Sequence, residues 1–301
     1  MIKLEPAKKI LKPMKVLSYG PTFSGKTLSS LYIAVGAVTA IRNCTVEEAY
    51  KHIVLIDTEY GRGALYSQIG LYNYLRIDAP YNTEKLTDYI QDLNMLDEVD
   101  VIIVDSLTHF WTKDGGILDQ KAQKDKQGGN TYTNWLDYTA KFNKMIDVLM
   151  ASPKHILTTA RAKSDTALED INGKKVPKTY GLKPEVRDGL EYDFDITFNV
   201  DKESHNLIVE KGVPGMERVY EMATPEIGAT LYKHFVAGAT IPVRTKDIVM
   251  EAIRTTSKNH NQIQFVQLTL SGRKLDDLSL EDLLKLEKEI INNIKKQQIK
   301  K

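Results

Sequence analysis

Hydrophobic residues recur along this chain in short, nearly continuous runs at 16–19, 52–57, 99–105 and 155–161. Such runs suit parallel strands covered by helices on both faces. Between them the period lengthens. Residues 83–96 set Leu86, Tyr89, Ile90 and Leu93 at helical spacing behind an Asn82-Thr83-Glu84 start signal. Residues 132–150 put Trp135, Leu136, Phe142, Ile146 and Leu149 on one side, and Ser152-Pro153 ends that helix. Strand alternating with helix through residue 200 predicts an α/β fold, a mostly parallel sheet between helices.

Further on, residues 192–200 alternate and residues 206–211 form their hairpin partner through a link at 202–205. A helix over 225–235 closes the core. After residue 240 the texture changes to short helices over 245–255, 262–270 and 280–294, the last with Leu280, Leu283, Leu284 and Ile291 on one face. The expected organisation is a lead of residues 1–13, a core of 14–239 and a small helical domain of 240–301. Two polar stretches lack a sustained period. Residues 113–130 read as a mobile loop or a short exposed helix, and residues 162–190, broken by Gly173, Pro177, Gly181 and Pro184, read as irregular, either functional or disordered.

Charge narrows this only a little. With 41 Lys+Arg against 40 Asp+Glu, any contact with a polyanion must rest on local clusters. A single cysteine, Cys44, excludes an internal disulfide and a cysteine-based metal site. The start lacks the apolar region of a signal peptide, and no run is long enough to cross a bilayer. The expectation is a soluble chain of the cytoplasm with no membrane contact.

The chemistry gathers where the first run ends. Gly20-Pro21-Thr22-Phe23-Ser24-Gly25-Lys26-Thr27 leads through Leu28 into an Ala/Leu/Ile-rich helix. Strand, G-x-x-x-x-G-K-T loop and helix together are the context that makes this motif a phosphate cradle. The two glycines let the backbone curl its N–H groups inward, and the helix adds its positive end. Lys26 is expected on the β- and γ-phosphates of ATP and Thr27 on Mg²⁺. Asp105, after four apolar residues, has the position of a metal-supporting carboxylate. Glu59, just past the second strand, is placed to activate a water. Thr158, Thr159 and Arg161 end the fourth strand, where a polar group senses the γ-phosphate; Thr159 and Arg161 are the candidates. His109 and Trp111 read as packing residues.

Residues 56–59 and 101–107 make the chain resemble the RecA-type core. More narrowly, Thr158-Thr159-Ala160-Arg161-Ala162-Lys163, Tyr180-Gly181-Leu182-Lys183-Pro184-Glu185-Val186-Arg187 and Glu191-Tyr192-Asp193-Phe194-Asp195 resemble the phage-encoded RecA-like ATPases of the Sak group, over about residues 14–220. Thr159-Ala160 stands where RecA has Asn-Gln. The resemblance implies an Mg²⁺-dependent ATPase acting on single-stranded DNA in phage-type recombination or annealing, working in a bacterial host. It implies a homo-oligomer with ATP at subunit interfaces and a cationic finger from the neighbour, Lys211 or Arg218. It also implies DNA contacts along 162–187, through Lys163, Lys174, Lys175, Lys178, Lys183 and Arg187, with Tyr180 or Trp135 stacking on a base. A single-strand-binding protein is an expected partner. Two other readings stay open, a nucleotide-gated scaffold or loader without turnover, and a helicase or packaging motor on the same core.

Overall fold

A computed structural model of the chain describes residues 9, 11–128, 130–171, 174–239 and 246–299, with some side chains among them left undescribed. Most of the basic lead, Gly129, Gly173, the stretch that opens the C-terminal domain, and Lys300-Lys301 lie outside the described residues. The described residues divide into two compact units, one of 12–238 and one that includes 246–299.

The first unit opens with β1 (Lys15–Gly20), α1 (Lys26–Arg42) and α2 (Val46–Tyr50). Next come β2 (Ile53–Asp57), a 3₁₀ turn over Arg62–Gln68, β3 (Asn73–Arg76), α3 (Thr83–Asn94) and β4 (Val101–Asp105). They are followed by α4 (Thr108–Thr112), α5 (Ile117–Lys126), α6 (Thr131–Ala151), β5 (His155–Ile171) and β6 (Lys174–Pro184). The unit ends with β7 (Ile196–Val200), β8 (Leu207–Lys211), β9 (Val219–Tyr220) and α7 (Pro225–Val236). The sheet order is β3-β2-β4-β5-β1-β7-β8-β9, parallel from β3 to β7 and antiparallel beyond. The result is a mostly parallel mixed sheet between helices, an α/β fold of the P-loop NTPase type, with helices at the C-terminal end of the chain.

Period-two alternation sorts the parallel strands onto two cores. Val16, Leu55, Ile103 and Leu157 face α1 and α7, while Leu17, Ile56, Val104 and Ile156 face α3 and α6. α3 starts on Asn82, whose side chain accepts the Lys85 N–H, as its sequence predicts. α1 is buried on most sides, because α7 crosses it at two glycines. A Cβ at Gly36 would lie 1.8 Å from the Pro225 carbonyl oxygen, and one at Gly228 would lie 2.5 Å from that of Ile33. This crossing fixes the helix that carries the phosphate loop.

Several expectations need correction. Residues 162–171 and 174–184 are regular, because β5 runs on past Arg161 and pairs antiparallel with β6, from Ala162↔Pro184 to Ile171↔Lys174. Residues 192–195 precede the strand they were expected to begin, with a 3₁₀ turn at Leu190–Asp193. β3 extends the sheet at an edge where no strand is predicted. Residues 117–126 take the helical option as α5. On α6 the buried side is Phe142, Met145, Ile146 and Leu149, and Leu136 faces outward.

In the second unit, α8 (Lys246–Asn259), α9 (Ile263–Leu270) and α10 (Leu280–Ile299) enclose Val249, Ile253, Val266, Leu283, Leu286 and Ile290. The buried stripe of α10 is Leu283, Leu286, Ile290 and Ile294, so Leu280 lies at its margin. Among the described residues, no helix is long and apolar enough to cross a membrane.

Candidate active site

The carboxyl ends of β1, β2, β4 and β5 come level with one another because their register is continuous. Asp57 pairs with Asp105, Val104 with Thr158, and Gly20 with Arg161. Ligands of open α/β sheets bind outside these ends, where the strand order reverses. Here the order reverses beside β1, and Gly25, Lys26, Thr27, Glu59, Asp105 and Arg161 line one cavity of about 480 Å³.

The loop after β1 has the shape its glycines predict. Gly25 sits at φ +90°, and a Cβ at Gly20 would lie 2.5 Å from the Val200 carbonyl oxygen. The first turn of α1 carries no acidic residue and no side-chain cap, so its N–H groups are left to a bound anion. Lys26 Nζ donates to the carbonyl oxygens of Gly20 (2.9 Å) and Pro21 (2.7 Å). Two of its three donors are thus spent on the loop, and the third is left for a phosphate oxygen. Burial lowers the Lys26 pKa, opposed by Asp105 and Glu59.

Asp105 is buried among hydroxyls. Thr27 Oγ1 donates to its Oδ2 at 2.6 Å, and Thr159 Oγ1 donates to Oδ1. Burial raises its pKa, and the two hydroxyls only partly offset that. Thr158 turns away, donating to the Val16 carbonyl oxygen at 3.2 Å. It therefore lies outside the site.

Glu59 is held differently. Its N–H donates to Asp57, which also accepts from the Gly63 N–H (2.9 Å) and from Tyr74 Oη (2.8 Å), so the turn after β2 is fixed from beneath. Arg161 clamps the Glu59 carboxylate with Nη2 to Oε2 at 2.8 Å and Nε to Oε1 at 3.1 Å. His109 Nε2 stands 3.4 Å from Oε1, while its Nδ1–H donates to the Thr58 carbonyl oxygen at 2.8 Å. Burial pushes the Glu59 pKa up, but Arg161 and His109 outweigh it and the net shift is downward. His109 packs, fully buried with its ring tilted at 43° to Tyr81, and its second nitrogen also faces the carboxylate.

Sequence reasoning passed over Arg62, Leu65 and Tyr66, which line the same cavity. The signal was the glycine-bracketed Tyr60-Gly61-Arg62-Gly63 directly after Glu59. Phe23 and Leu65 give the cavity an apolar rim, 83% and 71% exposed. Lys211 and Arg218 belong to the β8–β9 hairpin and its connection, outside that lining, and Lys211 Nζ donates to the Tyr192 carbonyl oxygen at 2.7 Å.

The family model described as an AAA domain matches residues 12–228. The chain belongs to that family. No curated protein matches it. Membership of the AAA domain family indicates an AAA-type P-loop ATPase, and the cradle, Lys26 and the paired strand-end carboxylates lie inside the matched span. Of the basic candidates along 162–187, several are already engaged. Lys163 and Lys183 both reach Asp188 (3.6 and 3.4 Å), Lys183 reaches Asp165 (3.3 Å), and Arg187 pairs with Asp193 (2.7 Å). Lys178 lies over the Tyr180 ring. The side chains of Lys174 and Lys175 lie outside those described.

Proposed function

We propose that this AAA domain protein is an Mg²⁺-dependent ATPase of the RecA-like Sak type, whose turnover is coupled to single-stranded DNA held along the β5–β6 hairpin. The donor set fits the metal. Thr27 and Asp105 are hard oxygen ligands 2.6 Å apart, and the buried Asp105 carboxylate takes its hydrogen bonds from hydroxyls, with no cation bonded to it among the described residues. Among the described residues no cluster of three or more histidine, cysteine or carboxylate side chains could hold a metal, so the nucleotide would complete the coordination. Bound there, Mg²⁺ would neutralise charge on the β- and γ-phosphate oxygens.

The chain's own residues supply the rest. The Gly20–Thr27 backbone and Lys26 hold the phosphates, and Thr27 and Asp105 orient the metal. Glu59 takes the proton of the attacking water. While the Arg161 contacts stand, the Glu59 carboxylate is occupied. A γ-phosphate near Arg161 would compete for the guanidinium and free Glu59 for the water. The apolar rim of Phe23 and Leu65 suits a base or a second copy of the chain, whose Lys211 or Arg218 would then face the phosphates.

One observation carries the DNA part. Arg161, the partner of Glu59, is the residue at which β5 leaves the parallel sheet and enters the hairpin. Whatever draws on the hairpin therefore draws on the clamp. Lys178 over Tyr180 offers a stacking face, and the Lys163–Lys183 pair would exchange Asp188 for a DNA phosphate. The test is the ATPase rate with and without single-stranded DNA at low and moderate salt. Stimulation that weakens with salt is expected. Hydrolysis that ignores DNA would favour the scaffold reading, and Lys26→Ala with unimpaired ATP binding would overturn the nucleotide site itself.

A further inference from the structure

The turn joining β7 to β8 lies against the phosphate loop. A cap fixes it: Asp201 Oδ1 accepts from the Glu203 N–H (3.0 Å), the Ser204 N–H (2.8 Å) and Ser204 Oγ (2.7 Å), and the Asp201 N–H donates to the Asn206 carbonyl oxygen at 3.0 Å. His205 follows at φ +58°, a left-handed conformation uncommon for a residue with a side chain. From there its Nδ1 stands 3.0 Å from the Ser24 carbonyl oxygen. A carbonyl only accepts, so Nδ1 carries the proton and donates.

The consequence follows from the planar peptide. In a trans peptide the C=O and the next N–H point in opposite directions. A Ser24 carbonyl drawn outward to His205 turns the Gly25 N–H the other way, into the cradle that Lys26 and Thr27 line. Gly25, at φ +90° and free of side-chain restraint, is the residue best able to let that peptide rotate. Ser24 offers no internal hold, since its buried Oγ has no partner among the described residues.

We infer that His205 is a positioning residue for the phosphate cradle, holding the Ser24–Gly25 peptide with its N–H toward the nucleotide. The inference rests on the nucleotide site proposed above. It also gives the β7–β8 hairpin, which leads to Lys211, a direct mechanical contact with the loop.

Asparagine and glycine substitutions separate the hydrogen bond from the backbone. Both tolerate the left-handed conformation, and the Asn amide nitrogen stands as many bonds from Cα as His Nδ1 does. His205→Gly should weaken binding of ATP about three- to tenfold, the worth of one hydrogen bond, with thermal unfolding of the nucleotide-free protein unchanged. His205→Asn should restore it. Titration of the full chain with a fluorescent ATP analogue reads both, with Lys26→Ala alongside. Wild-type affinity in His205→Gly while Lys26→Ala loses binding overturns the role of His205 and leaves the nucleotide site standing. A weakened His205→Asn equal to His205→Gly makes the residue a structural filler and also overturns it. A wild-type protein that binds no ATP removes the nucleotide site and this inference together.

Discussion

Asp105 and Glu59 stand at the ends of adjacent strands and line one cavity, yet they are held in opposite ways. Asp105 is buried and meets only hydroxyls, from Thr27 and Thr159, and its pKa rises. Glu59 meets a guanidinium through three hydrogen bonds and an imidazole beyond, and its pKa falls. A buried carboxylate with neutral donors is an incomplete ion pair, costly until a cation arrives. A carboxylate already paired is complete and must lose its partner to act as a base. On the function proposed above, Asp105 would wait for a metal and Glu59 for a release.

The largest test of this contrast removes the waiting charge. Asp105→Asn keeps the shape and one acceptor oxygen but removes the charge that a cation would neutralise. Hydrolysis should fall about 10³-fold, the order expected when metal charge stabilisation goes. Nucleotide-free stability should hold or rise, because a buried uncompensated charge has been removed. A clear loss of melting temperature without nucleotide would mean that Asp105 is already compensated, and the contrast would collapse.

Next in size is Glu59→Gln. The amide cannot take a proton, so turnover should drop about 10²-fold while ATP binding persists. Single-turnover hydrolysis beside equilibrium binding separates the two. If binding falls in step with turnover, Glu59 organises the cavity and is not the base.

How much of this was legible beforehand depends on the reach of each signal. The cradle, Lys26, Thr27 and Asp105 were readable because strand, loop and helix are contiguous and each residue type answers a local need. The two-sided sheet was readable for the same reason, from uninterrupted apolar runs. The hairpin was not legible because Gly173, Pro177, Gly181 and Pro184 read as breaks. Yet an Asn-Gly pair, as at 172–173 of the sequence, is the strongest short-range hairpin signal, and Ile171 pairs with Lys174. A bulge between Asp165 and Thr166 shifts the register and hides the alternation. The Arg161 clamp and the His205 contact could not be read at all, since they join residues 102 and 181 positions apart.

The smallest effect concerns the clamp itself and carries a sign. Glu59 has its folded pKa below the ordinary value of about 4.3, so the pair's contribution is fully present above that value and lost as pH falls through the folded pKa. Asp105 has the reverse sign, since a raised folded pKa costs stability as pH climbs past the unfolded value. Arg161→Ala should therefore destabilise the protein by about 1–2 kcal/mol near neutral pH, between the worth of an exposed pair and a buried one. At acid pH, below the folded pKa of Glu59, much of the difference should vanish, because Glu59 is then protonated in both proteins. Urea unfolding of the two at both pH values reads this directly. With its main cationic partner gone, burial weighs more heavily on Glu59, and the acid limb of hydrolysis should move upward in pH. A gap of equal size at both pH values would trace the loss to the packing of the Arg161 side chain, since its backbone N–H to Thr108 survives in alanine, and the two carboxylates would then differ less than their partners suggest.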